Sequence, residues 1–186
     1  MTKRSTTKDL FGKPVRERRP RYEASLERAE KAKLAVRAAR IRWLSDVIPK
    51  NLGFGMPMET FYVFEEAKSS FIYGNFVAAI VLAAAFVEHW FVASLDARGY
   101  GKQASHGLAA SIKVARTKNL VNSLLLDKVE QLRLIRNPFV HLKSFAHEHT
   151  VGQRFVKRRT HPEALLEDDA QEALIAMYGV ALYAFR

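Results

Sequence analysis

The stretch Phe76–Val87 constrains this chain most. It is apolar on every side, with no alternation of polar and apolar residues. Asn75 stands before it and Glu88-His89 after it. A membrane-crossing helix needs roughly 20 such residues, and this run is shorter. A helix that is apolar all round must be covered by neighbours, so the pattern predicts a buried helix in the middle of a bundle. The alanines within it let those neighbours approach closely.

The rest of the chain carries helical periodicity and no strand pattern or internal repeat. Residues from Tyr22 to about Ile48 are loosely periodic and end at Pro49. The Pro- and Gly-rich stretch 49–57 reads as a loop. One long helix is expected from about Thr60 to Leu95, ending before Gly99-Tyr100-Gly101. Two helical pieces follow, about Gly107–Arg116 and Leu120–Ile135. A short helix is expected from Pro138 to about His147, then a basic loop containing Gly152 and Arg154–Arg159. Thr160 and Glu163 have the spacing of a capping box. They introduce a last helix from about Pro162 to Tyr183. The expected fold class is all-α: an antiparallel bundle of four to five core helices with an extra N-terminal helix and a basic arm.

Charge separates the chain into unequal parts. The net charge is +11, yet residues 1–50 hold 15 Lys/Arg against 6 Asp/Glu, while residues 51–186 hold 15 against 13. The basicity therefore belongs to the N-terminal part. Residues 1–21, with Gly12, Pro14 and Pro20 among many charges, read as a disordered arm, and 22–186 as one helical domain. Such an arm attracts nucleic acid or an anionic surface. No apolar stretch follows the first basic residues, so the reading includes no signal peptide and no membrane partner. Cysteine is absent, which removes disulfides, thiolate metal sites and thiol nucleophiles and fits a cytoplasmic protein.

The chemistry-bearing segment is Arg136-Asn137-Pro138-Phe139-Val140-His141. A guanidinium grips phosphate in a two-pronged geometry, and an imidazole moves protons near neutral pH. Asn is a favoured helix cap and Pro a favoured first helical residue, so Asn137-Pro138 is read as a helix start. Arg136 and His141 would then face the positive end of that helix, which suits an anion and a neutral imidazole. Glu88, at the end of the apolar helix, needs a partner if buried. Orienting Arg136 or a histidine is the expected task. Arg154, Lys157, Arg158 and Arg159 follow as candidate contacts to a nucleic-acid backbone. His147-Glu148-His149 places its two imidazoles on different faces of a helix, and no zinc-protease, phosphate-loop or nucleophile motif occurs, so no metal or cofactor is expected.

This combination resembles the HEPN family, the nucleotide-binding domain of higher eukaryotes and prokaryotes. The family signature is an Arg, a polar residue that is often Asn, and a His shortly after. It is matched here by Arg136, Asn137 and His141. The stretch Tyr73–Val81 through Glu88 is similar to the family's small-residue apolar helix ending in a carboxylate. The resemblance covers about residues 60–186. It implies an all-α homodimer with two motifs in one cleft. Many members are metal-independent endoribonucleases, often toxins restrained by an antitoxin protein or serving phage defence. RNA supplies its own nucleophile, the 2′-hydroxyl. His141 would then transfer protons and Arg136 would hold the phosphate. Asn137 would cap the helix, and Glu88 would support the site. The alternative expectation is a non-catalytic helical module that binds nucleic acid or a partner through the basic arm.

Overall fold

Gly74 interrupts what periodicity alone reads as one long helix. In the computed structural model, which describes residues 11–12, 19–50 and 55–183 (19–21 as backbone), the segment forms two helices, α2 (Met58–Tyr73) and α3 (Phe76–Asp96). Gly74 adopts a left-handed conformation, φ +81°, that glycine tolerates best. Its N–H donates to Phe71 O at 3.1 Å and that of Asn75 to Ser70 O at 2.8 Å, closing α2. The two helices then fold back on one another.

The remaining helices are α1 (Arg19–Val47), α4 (Gly101–Ala104), α5 (Leu108–Thr117), α6 (Ser123–Val140), α7 (Val151–Arg158) and α8 (Pro162–Tyr183). Among the described residues there is no strand, and the fold is an all-α bundle. The chain divides into two units, residues 1–38 and 39–186. The described part of the first is mainly the leading part of α1, whose Leu26, Leu34 and Val36 are exposed and whose Arg37 pairs with Glu30. Pro20 falls in the first turn of α1, where a missing N–H costs little. The arm expected over 1–21 otherwise lies outside the described residues, apart from Phe11 and Gly12. So do residues 51–54 of the expected loop.

In the second unit α3 is the central element. It packs against α2, α4, α5, α6 and α8. Ala79, Ile80, Ala83, Ala84, Phe86 and Val87 are buried along it. By length and composition this helix could cross a membrane, but half of its most apolar window is buried inside the bundle. Phe64 bridges α2 to both neighbours, 5.2 Å from Phe86 and edge-on to Tyr178 at 5.5 Å. Burying each large side chain of this kind contributes roughly 1.5–3 kcal/mol. The end of α1 joins this unit through buried Leu44 and through Trp43, which packs on Phe71. Arg40 lies over the Phe76 ring and donates from Nε to Glu167 at 2.8 Å.

Three local expectations are corrected at the C-terminal side. The segment 151–158 is a helix, not a loop. Thr150 caps it by accepting from Gln153 N at 3.3 Å. The capping box at Thr160 does not form. Its hydroxyl donates back to Arg158 O, and His161 Nδ1 accepts from Glu163 N instead. Residues 142–147 are not helical.

Candidate phosphate-handling site

The helix expected to begin at Asn137-Pro138 is the end of α6, which runs unbroken from Ser123 to Val140. Pro138 lies inside its last turn. There the missing N–H costs a single helix bond, and the helix stops two residues later. Oriented to satisfy its hydrogen bonds, the Asn137 amide donates to Arg133 O and accepts from Arg133 Nη1, both at 3.1 Å. Partly buried Ile135 and Phe139 pack against the core and hold this turn down. Local preference at the residue before proline yields to those contacts.

This reverses the electrostatics expected for the motif. His141 is the C-terminal cap of α6, extended at φ −133° and ψ 123°, and its N–H donates to Asn137 O at 2.9 Å. It faces the negative end of the helix dipole, where a cation is favoured. The expected reason for a neutral imidazole is therefore absent. Asn137 is not an N-cap. His141 is exposed, and its imidazole makes no hydrogen bond among the described residues.

Arg136 and Glu88 are brought together from positions 48 residues apart. Arg136 Nη2 donates to Glu88 Oε2 at 3.3 Å, with side chains 21% and 27% exposed. The pair is thus sheltered but reachable. The packing of α3 on α6 makes the contact, with Glu88 in the second half of α3 and Arg136 in the last turns of α6. Glu88 Oε1 lies on the other side, against Gly107, 3.6 Å from where a Cβ would stand. Gly107 precedes α5, a helix start with no side-chain cap, so the carboxylate sits near a positive helix end as well as near a guanidinium. Arg136 Nη1 also reaches Asn137 Oδ1 at 3.4 Å in the other amide orientation, and Arg136 Nε is buried without a hydrogen-bond partner among the described residues.

The basic segment after the motif divides. Arg154 is not available to a nucleic acid. It forms a two-pronged pair with Asp169 of α8, 2.5 Å on each side, with side chains 12% and 5% exposed. That hydrogen bonding pushes the guanidinium pKa above its ordinary value. The arginine fastens α7 to α8. Lys157, Arg158 and Arg159 are exposed. Lys157 and Arg158 border a groove of about 680 Å³ that also holds Asp168 and Glu172. Their surroundings are mixed in charge.

His89 is a site feature that the sequence does not single out. His89 is exposed, and its Nδ1 lies 3.2 Å from the hydroxyl of buried Thr60. Both line a cleft of about 910 Å³ together with Glu88. No sequence signal links Thr60 to His89, because the contact depends on the turn at Gly74. The His147 and His149 rings lie 5.6 Å apart, tilted by 54°, and among the described residues no three His, Cys, Asp or Glu side chains are grouped to hold a metal. Comparison of the chain with protein-family models, with curated proteins and with solved structures finds no match.

Proposed function

We propose that this protein is a metal-independent endoribonuclease whose phosphate-binding group is Arg136. The observation that carries the reading is the Glu88–Arg136 pair. A carboxylate on the apolar central helix holds the arginine of the Arg-Asn-x-x-x-His motif at a partly open site, 3.3 Å away. The Arg136 contact given by the structure to Glu88 uses Nη2, so a single carboxylate oxygen leaves further N–H groups for a phosphate. His141, exposed at the end of the same helix, is the proton-transfer group.

In this reading the 2′-hydroxyl attacks the adjacent phosphorus, the 5′-oxygen leaves, and a 2′,3′-cyclic phosphate remains. A base removes the 2′-proton and an acid protonates the 5′-oxygen. Two copies of the chain bring two His141 side chains to one RNA, dividing those roles. Arg136 offsets the charge that builds on the non-bridging oxygens. Glu88 acts as a positioning residue, and Asn137 holds the turn rather than the substrate. Lys157, Arg158 and Arg159 supply sequence-independent attraction to the backbone. A toxin held by an antitoxin, acting in the cytoplasm, is the biological setting that the family resemblance suggests.

The test is RNA cleavage by the purified protein in excess chelator, with the product ends identified. Cyclic phosphate ends support the reading. Binding to RNA without any strand scission would favour a non-catalytic binding module.

A further inference from the structure

We propose that the cleft beside Glu88 is a nucleobase subsite, and that it takes guanine. This deepens the ribonuclease reading and rests on it. The cleft, about 910 Å³, has room for a base and its ribose. It shares a wall with the phosphate site, because Glu88 both lines it and holds Arg136. A nucleotide whose phosphate lies at Arg136 has its base within reach of that wall.

The polar groups match one base edge. Thr60, buried at the start of α2, fixes the His89 ring through Nδ1. When the threonine hydroxyl donates there, Nε2 carries the proton and serves as a donor. Glu59, on the same turn of α2, is exposed in the cleft and its carboxylate is unpaired among the described residues. Guanine presents two adjacent donors, N1–H and the N2 amino group, which suit the two oxygens of a carboxylate. It presents O6 and N7 as acceptors, which suit an imidazole N–H. Trp90 and Val92 supply apolar walls. Adenine and cytosine lack the paired donors, and uracil offers a single N–H.

Guanosine, adenosine, cytidine and uridine 5′-monophosphates can be titrated into the Trp43→Phe variant. The chain has two tryptophans, so the remaining fluorescence reports Trp90 in the cleft. The expected result is saturable quenching, tightest for the guanine nucleotide and weakened about tenfold by His89→Ala and by Glu59→Gln, as for loss of one base contact. Tightest binding by another base overturns the proposal. So does an equal response to ribose 5-phosphate, or an unchanged affinity in both variants. Arg136-dependent RNA cleavage without guanine-nucleotide binding sinks the base subsite and leaves the ribonuclease reading standing. Guanine-nucleotide binding without any cleavage does the reverse.

Discussion

Glu88 Oε2 accepts a hydrogen bond from Arg136 Nη2 at 3.3 Å, joining the second half of the central helix α3 to the last turns of α6. The contact is partly open to solvent, so its value for stability is small, about 1 kcal/mol or less. Under the proposed function its value lies in where it aims the guanidinium. Glu88→Gln is therefore expected to leave the thermal midpoint nearly unchanged and to lower RNA cleavage about 10- to 100-fold, as a misplaced group does. The loss should fall on kcat more than on KM. Thermal melts and steady-state kinetics on the same preparation check both halves.

Arg154 and Asp169 behave oppositely. Their pair is buried and two-pronged, so removing one partner strands a charge. Arg154→Ala and Asp169→Ala are each expected to destabilise by about 3–5 kcal/mol. Chemical denaturation measures this directly. Hydrogen exchange should show α7 losing protection first, because α8 is the helix it packs on.

Tyr178 is buried, and its hydroxyl has no hydrogen-bond partner among the described residues. Burial, and secondarily the charge of Glu65, raises its pKa from the ordinary 10.0. The folded form then keeps a proton that the unfolded form loses. The contribution is complete below pH 10.0 and fades as pH climbs from there toward the raised value. Tyr178→Phe should stabilise the protein by about 1 kcal/mol near neutral pH. It should also flatten the fall in thermal midpoint at alkaline pH.

The bundle was legible because its signal is redundant. The apolar run Phe76–Val87 could only be a covered helix, and α8 was readable end to end from Pro162 to Tyr183. The breaks were harder. Nothing in periodicity distinguishes a glycine that a helix tolerates from Gly74, whose left-handed conformation lets α2 turn back on α3. At the motif, local rules gave the wrong direction. Asn-Pro favours a helix start, but the packing of Ile135 and Phe139 carries α6 through it. That moved His141 from a positive helix end to a negative one. Arg154 looked like its exposed basic neighbours, because its partner Asp169 is distant in sequence. Glu88 was readable as a carboxylate in need of a partner, and the Arg136 contact answers that need. Thr60 and His89 gave no comparable hint.

The decisive measurement is cleavage of end-labelled RNA in excess chelator by the wild-type chain and by Arg136→Ala, with both proteins shown to melt at the same temperature. The expected result is wild-type cleavage leaving 2′,3′-cyclic phosphate ends, reduced at least about 100-fold in the variant, as for loss of a principal transition-state donor. Equal cleavage by the two proteins would contradict the role given to Arg136.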